Sequence, residues 1–121
     1  ERTVEMTREC ICEIRSIYRK IGAFEQTLHN EFGLNINEVM LLCVVADKKN
    51  ITSGEIAEEM SMTNSNTSKV ISTLEKKRLI CRHACKEDLR CMRFSITQKG
   101  EEMLAEMNCS DIELPDIFKA P

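Results

Sequence analysis

Residues 52–79 read TSGEIAEEMSMTNSNTSKVISTLEKKRL, and residues 80–96 continue ICRHACKEDLRCMRFSI. In the first stretch buried-type positions return every three or four residues: Ile56, Ala57 and Met60, then Thr67, Val70, Ile71 and Leu74. That is the period of two short amphipathic helices. Thr52-Ser53-Gly54-Glu55 is a capping box that opens the first. Ser61-Met62-Thr63 breaks it, and the second runs from Asn64 to Lys77. In the second stretch the period drops to two. Ile80, Arg82 and Ala84 alternate with Cys81, His83 and Cys85. After the polar run 86–90, Met92, Phe94 and Ile96 alternate with Cys91, Arg93 and Ser95. Two alternating runs around a charged loop make a β-hairpin. Helix, turn, helix and hairpin, in that order, make a winged helix-turn-helix.

Working outward, Asn35-Ile36-Asn37-Glu38 is a second capping box. It opens a helix whose residues Val39 to Ala46 are apolar on nearly all sides, so it is expected to be buried, Cys43 included. Asp47-Lys48-Lys49-Asn50 reads as a polar turn. Residues 3–30 form the longest periodic segment. Val4, Ile11, Ile14, Tyr18, Ile21 and Leu28 recur at threes, fours and sevens, and Ile17 and Phe24 widen the stripe. So long a helix exceeds what one small core covers, so part of its apolar face is expected to meet another chain. Phe32-Gly33 ends it. Downstream, Thr97 caps a last helix carrying Met103, Leu104 and Met107, and Pro115 interrupts the tail. The expected class is mostly α: a winged helix-turn-helix with a two-stranded β-hairpin wing and a long N-terminal dimerisation helix. Residues 1–121 form a single domain in this reading, with the long helix in 1–32, the winged helix in 33–100, and a short helix and tail in 101–121.

Composition bounds the function. The 121 residues are 42% hydrophobic and 31% charged, with 4% aromatic residues and no Trp. One globular domain fits, and a pocket of stacked rings does not. No apolar run approaches the ~18 residues of a membrane span. Seven Cys is an odd number in a chain too long for a typical disulfide scaffold, so reduced thiols in a cytoplasmic protein are expected. Charge is uneven. Residues 1–60 hold seven Lys/Arg against eleven Asp/Glu, residues 61–99 nine against three, and residues 100–121 one against six. A basic middle between acidic ends suits a polyanion.

The second short helix carries the chemistry. With Thr67, Val70, Ile71 and Leu74 inward, Ser65, Ser68, Lys69, Ser72 and Lys76 point outward at 100° per residue. Asn64 and Asn66 flank that face at the helix tip. No carboxylate precedes Glu75. Hydroxyls, amides and Lys suit base edges and phosphates, whereas an ordinary solvated face mixes in Asp and Glu.

Taken in order, these pieces resemble the MarR family of bacterial transcriptional regulators, from Gly33-Leu34 to Glu106. The carrying residues are Ile51-Thr52-Ser53-Gly54-Glu55-Ile56-Ala57, Thr67 through Leu74, and Leu74-Glu75-Lys76-Lys77-Arg78-Leu79-Ile80. The wing adds Asp88-Leu89-Arg90, like the family's Asp-x-Arg, and Ser95-Ile96-Thr97-Gln98-Lys99-Gly100, like its Leu-Thr-x-x-Gly ending. The resemblance implies that Arg90 sits at the wing tip and reaches a minor groove, with Asp88 orienting it. It implies double-stranded DNA as partner, a homodimer, and a small-molecule effector or oxidant that alters DNA affinity. The chain departs from the pattern after the wing. The family pairs its first helix with a long C-terminal helix pair, and here one short helix precedes Pro115.

No GxGxxG, P-loop, HExxH or CxxC occurs. No catalytic residue, cofactor or metal is expected, and the chain is not expected to be an enzyme. If Cys85 opposes Cys91 across the hairpin, then Cys81, His83, Cys85 and Cys91 share one face. That face is a thiol pair able to oxidise at Cys85 and Cys91, an improvised sulfur and nitrogen metal site, or four unremarkable side chains; zinc spacing is not matched. The expected function is a DNA-binding transcriptional regulator. The rival is a winged helix that has lost DNA binding and serves as a protein-interaction module, a reading that the acidic ends favour.

Overall fold

The computed structural model describes residues 7–85 and 91–109. Five helices and three strands follow in order: α1 (Arg8–Phe32), α2 (Ile36–Lys48), β1 (Ile51–Thr52), α3 (Ser53–Met60), α4 (Asn64–Lys76), β2 (Ile80–Ala84), β3 (Met92–Ile96) and α5 (Gln98–Cys109). The chain divides into two compact units, one holding α1 and the other running from Leu34 through α5.

In the first unit, Thr7 caps α1 by accepting the Cys10 N–H at 3.1 Å. Gly33 closes it at φ 71°, where its amide reaches the His29 carbonyl at 2.9 Å. That left-handed turn suits a residue without Cβ. The helix therefore ends at Phe32-Gly33, as expected. Ile11, Ile14 and Tyr18 stand on its surface at 52%, 50% and 77% exposure.

In the second unit both capping boxes form. Asn35 Oδ1 accepts the Glu38 amide and Glu38 Oε1 accepts the Asn35 amide, each at 2.8 Å. Thr52 and Glu55 repeat the exchange at 3.2 and 3.0 Å. The Thr52 amide and hydroxyl hold the Glu55 carboxyl below its ordinary pKa, against a smaller desolvation effect and with a still smaller contribution from Arg93. Glu38 is also buried and meets Lys77 Nζ at 3.4 Å, which ties the start of α2 to the end of α4. Leu41, Leu42 and Val45 of α2, Ile56 and Ala57 of α3, Ile71 and Leu74 of α4, and Ile80 and Phe94 of the sheet make the core. Thr67 is buried as well, its hydroxyl donating to the Thr63 carbonyl at 2.8 Å.

Two expectations are corrected. First, α2 is not buried all round: Met40 is 44% exposed and Cys43 is exposed. A helix packed on one side has an outer side whatever its composition, and Cys43 falls there. Partial burial of its sulfur and the Asp47 carboxylate still push the Cys43 thiol up, which keeps it protonated and weakly nucleophilic. Second, the two-stranded hairpin of β2 and β3 forms as expected but does not stand alone: β1 joins it, giving the order β1-β3-β2. Ile51 pairs with Phe94 and Thr52 with Arg93, both antiparallel. The turn before β1 is also tighter than the polar run suggested. α2 continues to Lys48, and Lys49 and Asn50 reverse the chain at φ 49° and 47°. Asn tolerates that region better than most residues.

Candidate nucleic-acid interface

The surface of α4 is built by its cap and its core contacts. Thr63 accepts the Asn66 amide at 3.1 Å, which fixes where the helix starts. Burial of Thr67, Ile71 and Leu74 then fixes its rotation, with Val70 half-buried beside them. Asn64, Ser65, Asn66, Ser68, Lys69, Ser72 and Lys76 are all exposed on the remaining surface. Among the described residues neither Lys69 nor Lys76 has an ion-pair partner. The lone carboxylate of α4, Glu75, is taken up by Arg82 of β2 through two bonds of 2.8 and 2.7 Å. Those bonds raise the Arg82 pKa above its ordinary value, against a smaller desolvation effect. The positive charge of Lys69 and Lys76 is thus left without a competing anion on their own helix.

Arg82 also lies over the Phe94 ring, 5.4 Å from its centre. One side chain therefore joins α4, β2 and β3. Between these elements lies a cleft of about 260 Å³, lined by Ser53, Ser68, Ile71, Ser72, Arg82, Met92 and Phe94. Ser68 and Ser72 thus face the wing sheet as well as solvent.

A second clamp holds the other face of the sheet. The Asn50 carbonyl accepts Arg93 Nη1 at 2.7 Å. Asn50 Oδ1 accepts the Ser95 hydroxyl at 3.1 Å and, with the Nε2-protonated tautomer, His83 Nε2 at 2.9 Å. Register places Cys81 opposite Ser95 and His83 opposite Arg93. One step further, the Cys85 amide donates to the Cys91 carbonyl at 2.9 Å, and the two cysteines are joined as a disulfide with their Cα atoms 5.5 Å apart. The structure thus brings Cys85 and Cys91 together and turns His83 Nε2 to Asn50. Among the described residues no group of three His, Cys, Asp or Glu is placed to hold a metal ion. Asp88 and Arg90 lie outside the described residues.

Comparison with known families bears on the classification. The sequence model of the MarR family matches residues 34–92. The winged helix is similar to that of the MarR family. Solved structures agree with that on the fold. MepR, a transcription regulator of the Staphylococcus aureus multidrug efflux pump MepA, superposes with a TM-score of 0.71 at 19% identity, over 86% of this chain and 76% of that one. The transcriptional regulator BldR from Sulfolobus solfataricus gives 0.71 at 25% identity, over 85% and 78%. MepR in complex with DNA gives 0.65 at 19% identity, over 79% of each chain. A comparison with curated proteins returns no match. Among the described residues no helix is long and apolar enough to cross a membrane.

Sequence reasoning missed two residues that position the candidate interface, Asn50 and Arg82. Asn50 counted only as part of a turn. Its partners His83, Arg93 and Ser95 lie 33 to 45 positions away, so no local pattern marks them. Arg82 had a signal: a cation on the core-side phase of an alternating strand calls for a partner.

Proposed function

We propose that the chain is a DNA-binding transcriptional regulator that acts as a homodimer on a pseudo-palindromic duplex. The observation that carries this is the outer surface of α4: seven exposed amide, hydroxyl and ammonium side chains, with its one carboxylate paired to Arg82. In this reading α4 lies in the major groove. Asn64, Ser65, Asn66, Ser68 and Ser72 face base edges, and Lys69 and Lys76 face phosphates. The wing residues Asp88 and Arg90 serve the adjacent minor groove. MepR, a relative by fold, is solved on DNA, which supports the reading by analogy. Titration of inverted-repeat and random duplexes at several salt concentrations tests it. Affinity should fall steeply with salt and be higher for a preferred inverted repeat. Absent or salt-independent binding would reject the proposal.

The dimer seam is proposed at α1, whose Ile11, Ile14 and Tyr18 form an exposed apolar strip at threes and fours. Two copies would set the two α4 helices one turn, ~10 bp, apart. Ile14→Asp with Tyr18→Asp is expected to give folded monomers by light scattering. These should bind DNA at least tenfold more weakly, since one winged helix engages half as many phosphates. A folded double variant that stays dimeric places the seam elsewhere.

A further inference from the structure

The end of α4 puts a large cation where the backbone favours glycine. The Leu79 amide returns to the Leu74 carbonyl at 3.0 Å, and the Arg78 amide returns to the Glu75 carbonyl at 2.9 Å. Those are the paired bonds of a Schellman motif, which needs a left-handed residue just after the cap. Arg78 takes that conformation at φ 61°. Glycine adopts it without a Cβ clash, and the chain closes α1 that way with Gly33 at φ 71°. Arg78 is also pinned there, because its carbonyl accepts the Thr97 hydroxyl at 2.7 Å. We propose that Arg78 is a DNA-phosphate ligand, its guanidinium extending the cationic track of Lys69 and Lys76 past the end of α4. The proposal rests on the DNA-binding reading above and adds one contact per protomer to it.

The fold itself makes no use of this side chain. Arg78 is exposed, and among the described residues its guanidinium has neither an ion pair nor a hydrogen bond. The two carboxylates bonded at this end of α4 are taken, Glu75 by Arg82 and Glu38 by Lys77. The carbonyl end of a helix attracts cations, but three are already present. Lys76 and Lys77 end α4, and Lys99 Nζ donates to the Lys77 carbonyl at 3.2 Å. A fourth positive charge adds little against the helix dipole and is repelled by the other three. Backbone conformation and electrostatics thus both disfavour Arg78 in the free protein. A strained, unpartnered side chain of this kind points to a partner outside the fold. A polyanion reverses the electrostatic sign, and a guanidinium offers a phosphate two parallel donors.

Lys49 supplies the contrast. It too is an exposed cation at positive φ, 49°. However, it lines a cleft with the carboxylates of Glu55, Glu58 and Glu59, so the fold offsets its charge. Arg78 has only cations for company.

The test is a salt series by fluorescence anisotropy on a preferred inverted repeat and a random duplex, run beside urea unfolding on the full chain. Arg78→Gly removes the strain and should unfold at a midpoint at or above the parent's. It should nevertheless bind both duplexes roughly tenfold more weakly at moderate salt, with a salt slope lower by about one per protomer. Arg78→Gln keeps the backbone as it is, so it should unfold near the parent and lose the same slope. Arg78→Lys should keep the slope. Lys49→Gly should also unfold at or above the parent, with no change of slope. Stability held or raised while affinity falls is a pattern that a purely structural role for Arg78 does not produce. A parent slope retained in Arg78→Gly or Arg78→Gln, a lower midpoint for Arg78→Gly, or an equal loss of slope in Lys49→Gly would overturn the proposal while leaving the parent's DNA binding intact. A parent that binds no duplex would instead overturn the DNA-binding reading and this proposal together.

Discussion

Gly100→Ala is expected to destabilise the winged helix by about 2–4 kcal/mol, despite placing a better helix former in α5. A Cβ on Gly100 would lie 2.4 Å from the Leu79 carbonyl oxygen and 2.7 Å from Cγ1 of Ile96. Ile96 can turn its side chain aside. Leu79 cannot do the same, because its carbonyl accepts the Thr97 amide at 3.0 Å and its own amide reaches Leu74 at 3.0 Å. Those bonds join the end of α4, the end of β3 and the start of α5. Moving Leu79 away would loosen all three at once. Thr97 adds to the same joint, its hydroxyl donating to the Arg78 carbonyl at 2.7 Å and accepting the Gly100 amide at 3.0 Å. Urea unfolding followed by circular dichroism measures the effect. Gly22→Ala is the control, since a Cβ there meets nothing within 4 Å. It should gain up to about 1 kcal/mol from helix propensity. An unfolding midpoint for Gly100→Ala at or above the parent's would show that this joint is slack.

What could be read from the chain divides along the range of the interactions. Asn35 with Glu38 and Thr52 with Glu55 act over three residues, so two helix starts could be placed to the residue. Pleat parity is equally local. With Ile80 and Phe94 on the core side, Cys85 and Cys91 share the other side, although parity alone left their pairing across the hairpin conditional. The winged-helix order followed, and with it the exposed residues of α4. The missed features are long-range or too short to show a period. β1 is two residues, which pair with residues 43 and 41 positions away. The bond between Glu75 and Arg82 crosses from helix to strand. Met40 and Cys43 show the limit of hydrophobicity as a guide: a helix apolar all round does not say which side its neighbours take.

That missed bond sharpens the expectation for DNA. Read alone, α4 ends in Glu75-Lys76, a pair of opposite charges whose field would largely cancel. With Glu75 held by Arg82 at 2.7 and 2.8 Å, the carboxylate is neutralised by a group from the wing. Lys76 keeps its full charge, as does Lys69 one face-repeat earlier. Replacing both with Ala should weaken binding uniformly across duplex sequences. It should also lower the salt slope by roughly one for each phosphate that a Lys no longer neutralises, about four for a dimer. At moderate salt that is on the order of a hundredfold or more in affinity. Asn66→Ala and Ser65→Ala should act differently. Each should cost about 1–3 kcal/mol on the preferred duplex with little change in slope or in random-sequence binding, since a base contact carries information and little counterion release. Fluorescence anisotropy over a salt series on the two duplex classes separates the patterns. Unchanged slopes in the Lys69→Ala, Lys76→Ala variant would mean that α4 is a solvated surface and that any DNA affinity resides elsewhere. Arg82→Ala distinguishes further. It frees the Glu75 carboxylate beside Lys76, so it should weaken DNA binding even if Arg82 touches no phosphate, and Arg82→Ala with Glu75→Gln should recover part of that loss. Direct phosphate binding by Arg82 predicts no such recovery.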